Sequence, residues 1–89
     1  MTSTEKAALR SRAQTLKPAV NVGREGAPPA VIKELDIALR RAELVKVRFA
    51  EGRDIMRTHC ATLAAATNSA WVGAVGRVAA FYRARVAAK

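Results

Sequence analysis

The stretch that decides the fold is "PAVNVGREGAPPAVIKELDIALRR", residues 18–41, in which a strand, a glycine loop and a helix follow one another. Val20 and Val22 are β-branched, which favours a short strand. Pro28 and Pro29 suit the first turn of a helix, where a backbone N–H has no intrahelical acceptor. Apolar residues then recur along one helical face, at Val31, Leu35, Ala38, Leu39 and Ala42.

The segment before this stretch, "TSTEKAALRSRAQTL" at residues 2–16, has the pattern of a capped helix. Thr2 and Glu5 have the spacing of a capping box, in which each side chain accepts a hydrogen bond from the other residue's backbone. Leu9, Ala13 and Leu16 recur at helical spacing. A short first helix is therefore predicted, and Pro18 ends it.

The segment after the central helix, "ELVKVRFA" at residues 43–50, alternates polar and apolar residues. This period predicts a strand with one solvent-exposed face, formed by Leu44, Lys46 and Arg48, and one buried face, formed by Val45, Val47 and Phe49.

A third helix is predicted to follow, with Asp54 as its N-terminal cap and Asn68 in a left-handed conformation at its C-terminus. Its apolar positions include Met56, Cys60 and Leu63. The sequence after this helix predicts a β-hairpin with its turn at Gly76-Arg77. The expected fold class is thus α/β (α+β): a single domain over residues 1–89, built as a two-layer sandwich with the order α-β-α-β-α-β-β and a small four-stranded mixed sheet.

The composition of the chain points to a polyanionic partner. Sixteen Lys and Arg stand against seven Asp and Glu in 89 residues, a formal net charge of +9. A folded domain this small repels itself unless a polyanion offsets the charge, so nucleic acid is the expected partner. An anionic membrane surface, or charge that serves only solubility, is the alternative.

The same composition argues against several other classes of protein. Cys60 is the only cysteine, so neither an intramolecular disulfide nor a thiolate-rich metal site is expected. No apolar run is long enough to span a bilayer, and a cytoplasmic location is expected. His59 and Cys60 are neighbours in a helix, so their side chains diverge and cannot form a nucleophile–base pair. Glu51 and Asp54 suit a turn and a helix cap rather than an acid–base pair. No enzyme activity, cofactor or small-molecule substrate is therefore expected.

The loop Gly23-Arg24-Glu25-Gly26 is a candidate anion-binding site. Glycines allow the close approach of a ligand to the backbone, and the first N–H groups of a helix point outward. Arg24 adds a guanidinium that matches phosphate geometry. Two features weaken this interpretation, because Pro28 and Pro29 remove N–H donors and Glu25 opposes Arg24. An ordinary turn is the alternative.

Several short motifs occur in an order that resembles a known family. They are Leu16-Lys17-Pro18, Gly23 to Gly26, Glu43 to Val47, Val75-Gly76-Arg77 and Tyr82-Arg83. This pattern resembles the CRM domain (chloroplast RNA splicing and ribosome maturation), and in particular the stand-alone bacterial YhbY-type proteins. The resemblance implies an RNA-binding fold similar to the C-terminal domain of translation initiation factor three. It also implies association with precursors of the large ribosomal subunit. In the family a Leu-Thr pair usually follows the loop, whereas this chain has Ala27-Pro28-Pro29.

The resemblance also implies which residues contact RNA. By position, the loop residues Gly23, Arg24, Glu25 and Gly26 face the RNA, and Lys17 is the next expected contact. Other basic residues could extend the surface or simply be solvated, namely Lys33, Arg40, Arg41, Lys46 and Arg48. Asp36 and Arg40 are also spaced for an i,i+4 ion pair.

The remaining basic residues are expected at the surface, and most of the aromatic residues are expected in the core. Arg10, Arg12, Arg83, Arg85 and Lys89 are expected to complete a distributed basic surface. Phe49 and one of Phe81 or Tyr82 are expected in the core, and Trp71 could contact a partner at the rim. Without a pair of exposed rings, recognition of the RNA backbone is more plausible than recognition of its bases.

Two alternative functions remain open at this point. The first is a protein-interaction adaptor that docks on a ribosomal protein or translation factor. The second is a broader binder of messenger or small RNA, or of DNA. A monomer is expected in each case.

Overall fold

The computed structural model describes residues 2–24 and 27–84, apart from the side chain of Arg53. It contains three helices and four strands in the predicted order, so the fold class is confirmed. They are α1 (Ser3–Ala13), β1 (Pro18–Val22), α2 (Pro29–Arg41), β2 (Leu44–Phe49), α3 (Arg53–Thr67), β3 (Ala70–Val75) and β4 (Val78–Tyr82). Among the helices described, none is long and apolar enough to cross a membrane.

The four strands form one mixed sheet in the order β1-β2-β4-β3. β1 and β2 are parallel and are joined through α2, whereas β4 runs antiparallel to both β2 and β3. The carboxyl ends of β1 and β2 therefore lie at the same end of the sheet as the β3–β4 turn. We call this the loop end, formed by Gly23-Arg24, residues 50–52 and Gly76-Arg77.

The main core lies between the sheet and helices α2 and α3. Its fully buried side chains include Leu35 and Leu39 of α2, Cys60 and Leu63 of α3, and Phe81 of β4. Burial of apolar surface of this kind is the principal stabilising contribution to a small domain.

Helix α1 packs on the other face of the sheet. Leu9 and Ala13 form a second, smaller cluster with Leu44, Val72 and Ala80. The sheet therefore carries helices on both faces, which adds a layer to the two that were predicted. The prediction that Leu44 is exposed was wrong, because α1 covers that end of β2 and leaves Leu44 only 6% exposed.

Two of the three predicted features at the helix ends of α1 and α3 are present in the structure, and the third is not. Thr2 N donates to Glu5 Oε1 over 2.8 Å and Glu5 N donates to Thr2 Oγ1 over 3.1 Å, which confirms the capping box. Asn68 adopts φ 54° and ψ 47°, as predicted. The prediction that Asp54 caps α3 was wrong: Gly52 holds the N-cap position, so Asp54 lies inside the first turn.

Arg83 joins three parts of the fold just after β4. Its Nη1 donates to Asp36 Oδ1 and to the Thr67 carbonyl, both over 2.7 Å, and its Nη2 donates to the Asp36 carbonyl over 3.1 Å. The hydrogen bond from this guanidinium is the main reason that the pKa of Asp36 lies below its usual value. Arg83 was predicted to belong to the basic surface, but its side chain is 22% exposed and ties α2 to α3.

Candidate nucleic-acid interface

The predicted RNA-binding loop begins where β1 ends. Gly23 follows the last residue of β1 directly, and the side chain of Arg24 is 91% exposed. Arg24 Nε lies 4.0 Å from Glu51 Oε1, a contact between two loops of the loop end. Glu25 and Gly26 lie outside the described residues, so their predicted roles stay predictions. The guanidinium of Arg24 is thus in solvent, and Glu51 is its one carboxylate neighbour among the described residues.

The N-terminus of α2 offers few backbone donors to an anion. Pro28 is the N-cap and Pro29 the first helical residue, and neither has an N–H. The N–H groups of Val31 and Ile32 both donate to the Pro28 carbonyl, over 3.0 and 3.1 Å. Within residues 28–32 this leaves the N–H of Ala30, so this helix end offers few backbone donors beyond its dipole.

Backbone hydrogen bonds tie the connections of the loop end together. Ala50 N donates to the Val22 carbonyl over 3.0 Å, and Phe49 N donates to the Arg77 carbonyl over 2.8 Å. Arg77 Nη1 then donates to the Ala50 carbonyl over 3.2 Å. The β3–β4 turn is therefore held beside the β2–α3 connection, which is held beside β1.

This arrangement places Arg24 and Arg77 at the loop end, with Arg48 next to it on β2. Arg24 precedes α2, Arg48 is the exposed fifth residue of β2, and Arg77 lies in the β3–β4 turn. Arg77 was not among the predicted contacts. The sequence carried a signal for its turn, but only the strand order places that turn next to Arg24. Lys33 is exposed on α2, about 6 Å along the axis from the first helical residue.

Other predicted contacts lie toward the opposite end of the sheet. Lys17 precedes β1, whose five residues span about 16 Å, so Lys17 is well separated from Gly23. Arg40 and Arg41 are in the last turn of α2. Arg40 Nη2 lies 3.0 Å from Asp36 Oδ2, which confirms the predicted ion pair. The structure therefore divides the predicted residues into two groups rather than one surface.

Lys46 lies between these groups on the face of the sheet that carries α1. It is half-buried, and its Nζ donates to the Leu16 carbonyl over 3.0 Å. Its stem thus lies along the sheet while its ammonium remains at the surface, as long cationic side chains commonly do.

The two phenylalanines and the cysteine belong to the core rather than to the candidate interface. Phe49 and Phe81 are buried, as predicted, and Trp71 is half-buried with its Nε1 donating to the Gly73 carbonyl over 3.2 Å. Cys60 is fully buried, and desolvation raises the pKa of its thiol to about 12. No cluster of three His, Cys, Asp or Glu side chains that could hold a metal ion occurs in the described part of the chain.

Comparison with known proteins agrees with this architecture. The model of the CRS1/YhbY (CRM) domain matches residues 1–83. The chain is also similar to a hypothetical protein from Staphylococcus aureus, whose solution structure is described as that of a candidate RNA-binding protein. The two share 31% sequence identity and superpose with a TM-score of 0.88, over 100% of this chain and 94% of the other. No curated protein matches the chain in sequence. Since the family model spans nearly all of the sequence, the chain belongs to the CRS1/YhbY (CRM) domain family.

Proposed function

We propose that the protein binds RNA with its loop end. The observation that carries the proposal is that Arg24 and Arg77 lie in two connections of the loop end, with Arg48 next to it near the end of β2, in a chain of net charge +9. Membership of the CRM family and the likeness to a candidate RNA-binding protein support it. In this proposal the protein acts by binding RNA and catalyses no reaction on it.

In this proposal the backbone at Gly23 and the three guanidinium groups contact phosphates. Guanidinium groups form paired, charge-assisted hydrogen bonds with phosphate oxygens. The prolines leave the N-terminus of α2 few donors, so the arginine side chains supply most of the affinity. Contacts of this kind position the RNA without reading its sequence, so specificity comes from the shape of the RNA.

The finer proposal concerns the complete loop and the identity of the RNA. We infer that Glu25 and Gly26 complete a GxxG loop against the RNA backbone, and that the target is ribosomal RNA in precursors of the large subunit. The resemblance described above supports both inferences. The protein then acts in the cytoplasm, as a monomer, during ribosome assembly.

The salt dependence of binding tests the contact mechanism. An interface that uses roughly five phosphates weakens ~100-fold when the salt concentration rises fourfold, because bound counterions are released. Fluorescence anisotropy with a labelled RNA hairpin at several salt concentrations measures this slope. An affinity that hardly changes with salt would contradict the mechanism.

A matched pair of variants tests the location of the interface. Arg24→Ala combined with Arg77→Ala removes two charges at the loop end, whereas Lys17→Ala combined with Arg40→Ala removes two at the opposite end. The first pair is expected to reduce both the affinity and the salt slope, and the second to change them much less. A larger loss of affinity from the second pair than from the first would show that the interface lies at the Lys17 end of the sheet instead.

Crosslinking in cells followed by sequencing of the bound RNA tests the identity of the target. Large-subunit ribosomal RNA is the expected product. Enrichment of messenger or small RNA would show a broader binder. A pulldown that recovers the same protein partner after nuclease treatment would instead support an adaptor function.

A further inference from the structure

The face of the sheet that carries α1 is only partly covered. α1 packs against β3, β4 and the start of β2, and beyond it a groove of about 670 Å³ runs between α1 and the β3–β4 hairpin. A groove of this size is in the range that accepts small organic groups.

The floor of this groove is apolar. It is formed by small residues on β3 and β4, including Gly73, Val78 and Ala80. The pairing of β3 with β4 shifts register between Trp71 and Gly73, so that Val72 and Gly73 both face α1. A Cβ on Gly73 would overlap the stem of Arg10, so glycine is what allows Arg10 to cross the strand.

Among the described residues, the ionisable side chains that line the groove are both cations. Arg10 Nη1 donates to the Val72 carbonyl over 3.1 Å, and Lys46 Nζ donates to the Leu16 carbonyl over 3.0 Å. A guanidinium has five N–H donors and an ammonium three, so each group retains donors for an anion. Gln14 of α1 also lines the groove, and its amide can both donate and accept.

We propose that this groove binds an unpaired nucleotide of single-stranded RNA. The base lies on the apolar floor beside Gln14, and the flanking phosphates contact Arg10 and Lys46. This inference rests on the proposed function and deepens it, because it adds a contact to a base where the loop end contacts the backbone.

Two observations favour RNA over an acidic peptide as the occupant. The first is charge: both ionisable lining groups are positive, and a nucleotide presents a phosphate together with a flat apolar base. The second is continuity: Arg48 projects on the same side of β2 as Lys46, about 7 Å further toward the loop end. An RNA strand bound at Arg24 can therefore pass Arg48 and Lys46 and reach Arg10.

The test compares Val78→Glu with Thr62→Glu in the full chain. Val78→Glu places a carboxylate in the floor of the groove, whereas Thr62→Glu makes the same charge change at an exposed site on α3. The probes are a fluorescein-labelled single-stranded oligouridylate and a blunt RNA duplex. We expect Val78→Glu to weaken binding of the single strand about tenfold more than Thr62→Glu does, and to affect the duplex no more than the control. Circular dichroism verifies that both variants are folded.

If Val78→Glu does not fold, amide NMR on the unaltered protein takes its place. Addition of the oligouridylate is expected to shift the amide signals of Gly73, Val78 and Ala80. Failure of both RNAs to bind the unaltered protein would reject the proposed function itself. Equal effects of the two variants, RNA binding without shifts at these amides, or larger shifts with an oligoglutamate peptide than with RNA would reject the groove alone.

Discussion

Arg83→Met is expected to destabilise the protein more than any other loss of a surface charge. Arg83 donates to the backbone carbonyls of Thr67 and Asp36 from a side chain that is only 22% exposed. Methionine keeps an unbranched stem like that of arginine as far as Nε, and leaves the Arg83 N–H bond to the Glu43 carbonyl in place. The substitution therefore removes the side-chain bonds and little else.

The magnitude follows from the two carbonyl acceptors. A hydrogen bond from a charged donor contributes about 1.5–3 kcal/mol, and the lower value applies because water can reach part of this site. The contact with the Asp36 carboxylate lies at the surface and is left out of the sum. The expected loss is about 3 kcal/mol at most and about 1.5 kcal/mol where water replaces one bond. For a chain of 89 residues this corresponds to a fall in Tm of roughly 8–16 °C.

The effect of Arg83→Met also depends on pH. The hydrogen bond from Arg83 holds the pKa of Asp36 below 3.8, its value in an unstructured chain. Stability from a lowered carboxyl pKa is complete above the unfolded pKa and is lost as the pH falls through the folded pKa. The difference in Tm between the protein and the variant is therefore largest above about pH 4 and narrows below it.

Thermal unfolding followed by circular dichroism between pH 2.5 and pH 7 measures both effects. Arg48→Met is the control, since it removes the same charge from an exposed site and is expected to change stability by about 0.5 kcal/mol or less. A fall in Tm for Arg83→Met no larger than that of the control would refute the structural role. A difference that stays constant across this pH range would refute the coupling to Asp36.

Three further substitutions test separate parts of the fold by the same measurement. Leu35→Ala empties a fully buried site and is expected to cost about 2–5 kcal/mol, against less than 1.5 kcal/mol for Leu35→Met. Thr2→Ala removes the cap of α1 and is expected to cost about 1 kcal/mol, with Thr2→Ser as the neutral comparison. Gly76→Ala places a Cβ at φ 59° and is expected to lower the free energy of unfolding by about 1–2 kcal/mol. Gly76→Asn is expected to lower it by less, because asparagine adopts left-handed backbone angles more readily than alanine. A cost from Gly76→Asn as large as that from Gly76→Ala would show that the left-handed backbone is not the cause.

Local features of the fold could be predicted because their causes lie within a few residues. The capping box of Thr2 and Glu5 and the left-handed Asn68 depend on neighbours along the chain. The N-cap of α3 was missed because Gly52 and Asp54 both suit the position, and only the path of the chain after β2 decides between them.

Features that depend on strand order could not be predicted in the same way. The alternation of β2 correctly separated Lys46 from Val47 but gave no sign that α1 would bury Leu44. Arg77 joins the candidate interface because β4 pairs with β2, and Arg83 leaves the basic surface because Asp36 lies within reach. A single charged residue has the same local pattern whether it contacts solvent, a carboxylate or a ligand.

The net charge of +9 therefore overstates what an RNA can use at any one site. Asp36 accepts from both Arg83 and Arg40, so these two cations already have a carboxylate partner within the fold. Arg24 is held only loosely by Glu51, at 4.0 Å and with 91% of its side chain exposed. A phosphate that binds Arg24 displaces little, whereas one that binds Arg83 must first disrupt contacts between α2 and α3. For this reason a cation without a close carboxylate partner, such as Arg24, is worth more to the proposed interface than Arg83 or Arg40.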